Sequence, residues 1–358
     1  MERRKFGTLG AASARARLAV VIPFIALIVA AGEEAQARGA RHQAVPAEPR
    51  YIPPYADIVV DGNSGAVLHE SNPDEPRHPA SLTKIMTLYL LFEQLELGAL
   101  KLDTALPVSP RAAQQHPTKL GLKADTTVTV EDAIGGIVTR SANDAAVVVS
   151  EAVGGSEEAF AKLMTAKAHE LGMTSTTYVN ASGLPADAQI TTARDQATLG
   201  RAIRARFPNY FPVFSTLSYR YHGVDIHNHN GLLGRVDGVD GIKTGYTDAS
   251  GYNLISSVHR DDKSIVAVVL GETSNSAREA RMRGLIEDGI RQASSQRTGP
   301  TILQATRGEA TRGEATRGEA TRGEATRGQA AKTGEPAGPI GFAPASASSR
   351  PVRDNFGK

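Results

Sequence analysis

The sequence predicts an α/β domain over residues 51–295: an antiparallel sheet flanked by helices, its strands drawn from both ends of the domain, with a helical insertion between them. Three observations predict it. The segments run strands, helices, strands, helix along the chain. Near the start, the turn-forming Asp61-Gly62-Asn63-Ser64-Gly65 separates two short apolar stretches. Near the end, residues 251–259 and 263–270 read as a hairpin around Arg260-Asp261-Asp262.

In order, residues 58–60 and 66–69 pair as strands across the first turn. Pro73, Pro76 and Pro79 then keep the chain extended up to Ser81. Residues 82–95 are apolar nearly all round, with Ile85, Met86, Leu88, Leu90, Leu91 and Phe92, the pattern of a buried helix. Thr129 to Asp132 reads as a capping box, with Asp for the usual Glu or Gln, opening a helix to about Val138. A second helix starts near Asp144 and stops before Gly154-Gly155, which sets Ser141-Ala142-Asn143 at a helix–helix connection. Ser156 caps a helix that Gly172 stops, and Thr192 starts another that runs to about Arg206. Residues 219–271 read as sheet, with the apolar run 266–270 as a central strand. Residues 277–291 form a closing amphipathic helix.

The flanks differ in character. Arg3, Arg4, Lys5, Arg15 and Arg17 precede an uncharged apolar run over 18–31, which matches a signal-peptide core and is short for a membrane span. Ala35-Gln36-Ala37 offers a small-x-small cleavage site, so residues 1–37 are expected to be a signal peptide and the protein exported to the periplasm or cell envelope. An uncleaved anchor is the alternative, which leaves membrane association open. Residues 38–50 read as a polar linker. Residues 296–358 are expected to be disordered: Thr306-Arg307-Gly308-Glu309-Ala310 repeats five times over 306–330, with Gln329 in the last copy and no apolar face to bury.

Across 358 residues the formal net charge is only +2, which gives no case for a nucleic-acid partner. With no cysteine, disulfides, thiol catalysis and thiolate metal sites are excluded.

Three short motifs carry the chemistry. Ser81-Leu82-Thr83-Lys84 sets a hydroxyl and an amine on one helix face, at a helix start where backbone N–H groups favour developing negative charge. A lysine deprotonates a serine once burial and a neighbouring cation lower its pKa, and Lys243 would be that neighbour. A capping serine followed by a surface lysine is the bland alternative; against it, Lys84 lies in an otherwise apolar helix, where an unpaired charge is costly. Ser141 and Asn143 suit a proton relay and an amide that holds a peptide carbonyl, or an ordinary loop. At a strand edge, Lys243 and Thr244 can present to a carboxylate while Gly245 lets backbones approach. The backbone N–H groups of Ser81 and Tyr246 would then form an oxyanion hole. Lys332-Thr333-Gly334 repeats the last triplet inside the tail, so context separates the two copies. His227-Asn228-His229-Asn230 would point two histidines to one side of a strand, but no further ligand lies nearby; no metal and no cofactor is expected.

The ordered set resembles the serine D-alanyl-D-alanine carboxypeptidases, the low-molecular-mass penicillin-binding proteins. Pro79-Ala80-Ser81-Leu82-Thr83-Lys84-Ile85-Met86-Thr87, Asn180-Ala181-Ser182-Gly183-Leu184, Thr191-Thr192-Ala193-Arg194-Asp195, Asn228-His229-Asn230-Gly231-Leu232-Leu233 and 238–247 all look like family blocks. The resemblance implies a β-lactamase/transpeptidase-like domain. It implies that Ser81 attacks the penultimate D-Ala of a peptidoglycan stem peptide, Lys84 accepts the proton, Ser141 relays it, and Asn143, Lys243, Thr244 and Gly245 bind substrate. β-Lactams are implied as covalent inhibitors. No Glu-x-x-Leu-Asn block of the class A β-lactamases is present, so efficient β-lactam hydrolysis is not implied. A D,D-endopeptidase with the same residues, or a catalytically silent wall-binding protein, stays open as an alternative.

Overall fold

A computed structural model describes residues 51–299. The expected signal peptide, linker and repeat tail lie outside the described residues, apart from residues 296–299. The elements are β1 (Ala56–Asp61), β2 (Val67–Ser71), α1 (Thr83–Glu96), β3 (Ala105–Pro107), α2 (Pro110–Ala113), β4 (Thr127–Thr129), α3 (Val130–Thr139), α4 (Asn143–Gly154), α5 (Glu157–Glu170), α6 (Ala193–Arg206), β5 (Ser218–Tyr221), β6 (Val224–His227), β7 (Val239–Thr247), β8 (Gly251–Arg260), β9 (Lys263–Glu272) and α7 (Asn275–Gln292). Short 3₁₀ turns at Ala80–Leu82 and Phe211–Ser215 precede α1 and β5.

Five strands form one antiparallel sheet in the order β2-β1-β9-β8-β7, so the two ends of the domain do meet in it. The apolar run 266–270 lies in β9, the middle strand. Period-two alternation divides its side chains between two cores. Val266, Val268 and Leu270 pack with the helical insertion, while Ile265, Ala267 and Val269 pack with Leu285, Ile286 and Ile290 of α7. α6 and α7 therefore cover opposite faces of the sheet, an α/β/α arrangement.

The caps act as expected. The Thr129, Ser156 and Thr192 side chains accept from backbone N–H groups three residues on, and Gly155 ends α4 at φ +76. One expectation is corrected. Residues 219–227 are not part of the main sheet but a separate hairpin, β5–β6. Its Tyr219 packs over Gly135 of α3 and donates to Asp132 Oδ1 at 2.7 Å. A Cβ at Gly135 would lie 2.7 Å from that ring, so α3 rather than the sheet holds the hairpin.

Candidate active site

All but Glu93, Gln94 and Glu96 of the 14 residues in α1 are buried, Lys84 included. Ser81 sits on the 3₁₀ turn that leads into this helix. Ala80 before it is at φ +49, a left-handed conformation uncommon for a residue with a Cβ. Asn253 of β8 holds the turn: its amide donates to the carbonyls of His78 at 3.0 Å and Pro79 at 3.2 Å. Gly245 of β7 crosses close by; a Cβ there would stand 3.1 Å from both Pro79 O and Ser81 N. Glycine thus lets a strand edge lie against the serine's backbone.

Lys84 Nζ lies 3.1 Å from Ser81 Oγ and 2.7 Å from Asn143 Oδ1, and it also hydrogen-bonds the Ser182 carbonyl. Burial, then the Lys243 charge, hold this amine well below the ordinary lysine value, against a smaller opposing pull from Asp144. Lys243 is also buried, and burial followed by the Arg278 charge lowers it to about 7. Its Nζ donates to Thr244 O at 2.9 Å. Asn143 opens α4, and its amide donates to His116 O at 2.9 Å. Ser141 sits at φ +59 with its Oγ buried and without a hydrogen-bond partner.

Ser81, Ser141, Asn143, Thr244, Gly245 and Tyr246 line one cavity of about 360 Å³. Lys84 and Lys243 stand behind its wall rather than on it. A larger cavity of about 550 Å³, bounded by Arg201, Arg204 and Phe211, holds none of the motif residues. Chemistry rather than size selects the smaller one. The two histidines separate: β6 ends at His227, and His229 alone lines the cavity. Burial, then Lys243, Arg140 and Arg278, lower His229 to about 4, so its ring is neutral near pH 7. Among the described residues no cluster of His, Asp or Glu has metal-site geometry.

Four contributors escaped the sequence reading. The Asp144 carboxylate accepts from the backbone of Leu120 at 3.0 Å, Gly121 at 2.8 Å and Leu122 at 3.0 Å, tying down the loop whose Pro117 and Thr118 wall the cavity. An acid in the first turn of a helix is ordinary, so nothing marked it. The Ser182 carbonyl reaches Lys84 because Thr87 donates to Ala181 O at 2.7 Å and Asn180 Oδ1 accepts from Gly183 N at 2.7 Å. Asn253, polar in a buried strand, and Arg278, basic where a helix start favours acids, were readable signals. Arg278 lines the cavity, buried, with its Nε unpaired.

This site belongs with a recognisable sequence. A family described as D-alanyl-D-alanine carboxypeptidase matches residues 43–274, more than half of the chain. The chain belongs to that family. It is 36% identical over 241 residues to D-alanyl-D-alanine carboxypeptidase DacA of Escherichia coli K12, covering 65% of this chain and 60% of that one. The chain thus spans about 60% of the length of such curated relatives. Among solved structures it is similar to the carboxypeptidase DacD of Francisella tularensis, with TM-score 0.63, 32% identity, and coverage of 66% of this chain and 70% of that one. It is also similar to penicillin-binding protein D2 of Listeria monocytogenes in its cefotaxime-bound form, with TM-score 0.61, 31% identity, and coverage of 67% and 98%.

Proposed function

We propose that the chain is an exported serine-type carboxypeptidase that removes the terminal D-Ala from peptidoglycan stem peptides through an acyl-enzyme on Ser81. The observation that carries this reading is the 3.1 Å approach of the Lys84 amine to Ser81 Oγ. That amine is buried and held below the ordinary lysine value, with hydroxyl, amide and carbonyl oxygens for partners rather than a carboxylate. A neutral buried amine accepts a proton; a paired ammonium does not.

Neutral Lys84 takes the Ser81 proton as Oγ bonds to the carbonyl carbon of the penultimate D-Ala. The resulting oxyanion is stabilised by the N–H groups of Ser81 and Tyr246. The C–N bond breaks, and the D-Ala amine leaves with a proton returned from Lys84 through Ser141. Water then adds to the ester with Lys84 again as base, freeing the shortened peptide and restoring the Ser81 hydroxyl. Asn143 holds the substrate's peptide carbonyl. Thr244 and Gly245 line its path, and Lys243, with Arg278, draws its terminal carboxylate to the cationic wall. β-Lactams, as mimics of the terminal dipeptide, acylate Ser81.

The test is D-Ala release from diacetyl-L-Lys-D-Ala-D-Ala by the full chain, with Ser81→Ala as control. Release that disappears in the variant supports the proposal. No release, or equal release from the variant, would falsify it.

A further inference from the structure

We propose that the cavity of about 550 Å³ beside α6 is a second binding site, for a small organic phosphate monoester, with Arg201 and Arg297 holding the phosphate.

The cavity is separate from the catalytic one. Its walls come from α6, the 3₁₀ turn at Phe211–Ser215, the β1–β2 turn and the starts of β7 and β9. Asp240 bounds it on β7, and Gly245 bounds the catalytic cavity five residues further along the same strand, roughly 16 Å away. The chain's exit from the domain closes one side. Ser294 N–H donates to Asp61 Oδ2 at 2.8 Å, Gly299 N–H donates to Asn63 O at 3.2 Å, and Arg297 and Gly299 both line the cavity.

The wall carries three arginines and one aspartate. Arg201 and Arg204, three apart on α6, share one helix face. Arg204 is matched: it pairs with Asp240 and donates to Ser257 Oγ at 2.8 Å. Arg201 is not. It is half-buried, and the β1–β2 turn lies so close that a Cβ on Gly65 would stand 2.9 Å from its Nη2. Yet it makes no hydrogen bond or ion pair among the described residues. Burial draws its pKa down; Asp61 opposes this, but that carboxylate already accepts from the backbone N–H groups of Asn63, Ser64 and Ser294. A guanidinium kept from water without a partner is costly. Arg297, exposed at the rim, is likewise unpaired among the described residues.

Two positive charges therefore bound one cavity without a protein acceptor. A carboxylate has two oxygens and saturates one guanidinium fork. A phosphate monoester is close to a dianion near pH 7, and its terminal oxygens bridge two such forks. The cavity is larger than a phosphate group needs and falls in the size range of sites for small organic ligands. Pro208, Phe211, Pro212 and Val266 give it an apolar side, against which the body of the ligand rests.

The experiment is calorimetric titration of the full chain with glucose 1-phosphate, adenosine monophosphate, inorganic phosphate, succinate, and unphosphorylated glucose and adenosine. At least one monoester is expected to bind about tenfold or more tighter than the other four compounds, and the tighter monoester identifies the body as sugar or nucleoside. Arg201→Gln weakens that binding about tenfold or more, the size of a lost charge-assisted hydrogen bond. Arg297→Gln, which removes an exposed side chain without a protein partner, weakens it as well, and it decides alone if Arg201→Gln fails to fold. Both variants are expected to be acylated by benzylpenicillin at the wild-type rate, as two separate sites require. No binding by either monoester, binding no tighter than that of inorganic phosphate, succinate or the unphosphorylated body, or affinity unchanged by the substitutions overturns the proposal.

Discussion

The two ends of α1 treat a lysine in opposite ways. At its far end, Glu93 pairs with Lys167 of α5 at 3.1 Å, and Glu170 joins at 2.6 Å. Burial pulls the Lys167 amine down, but its bonds to Glu170 and Glu93 outweigh that, and its pKa rises. At the near end, Lys84 is more deeply buried, meets only neutral oxygens, faces a second cation at Lys243, and falls. One lysine ties two helices through carboxylates; the other is a buried amine that the proposed mechanism uses as the proton acceptor. The lesson is that burial alone does not set a lysine's pKa: it wins at Lys84, where no carboxylate is hydrogen-bonded to the amine and the pull of Asp144 is smaller, and loses at Lys167.

Four substitutions or titrations break or sharpen that contrast. Lys84→Met should have the largest effect, lowering kcat/KM about a hundred- to ten-thousandfold, the range for a positioned proton acceptor. Its Tm should stay within about 4 °C of wild type, since relief of a buried amine opposes the stranding of Asn143 Oδ1 and Ser182 O. Steady-state kinetics and a melting curve check the two halves.

Gly245→Ala comes next. A Cβ 3.1 Å from Pro79 O and Ser81 N forces β7 off the serine by tenths of an ångström. We expect about a tenfold loss in kcat, read against an unchanged melting curve.

The third is a titration. Lys243 falls to about 7 in the fold from 10.5. Between those values the unfolded chain holds a proton that the native chain has lost, so stability rises with pH across that window, by at most about 1.4 kcal/mol per pH unit for this group. Urea unfolding from pH 7 to 10 should show the rise, and Lys243→Met should reduce it while leaving the same-sign contribution of Lys84.

Lys167→Ala should do least. Losing a partly exposed pair costs roughly 0.5–1 kcal/mol and leaves D-Ala release untouched. A loss of activity there would erase the distinction between the two ends of α1.

Much of the fold was legible because local chemistry wrote it. Asp61 to Gly65 made the first turn, the capping residues began α3, α5 and α6, and the run 266–270 named the middle strand. The β5–β6 hairpin was misassigned because alternation marks a strand without saying which sheet receives it. Within the site, Ser81, Lys84, Ser141, Asn143 and Lys243 were readable as residue types at a spacing. What holds them was not: Lys84 meets Ser182 across 98 positions, and Asn253 meets Pro79 across 174. Such contacts exist only once the sheet has closed.

The most direct measurement is acylation of the full chain by benzylpenicillin, followed by intact mass and peptide mapping. The account predicts one adduct, on the peptide carrying Ser81, absent in Ser81→Ala and at least about a hundredfold slower in Lys84→Met. An adduct elsewhere, or Lys84→Met reacting at the wild-type rate, would contradict the claim that a buried amine with no carboxylate among its hydrogen-bond partners activates this serine.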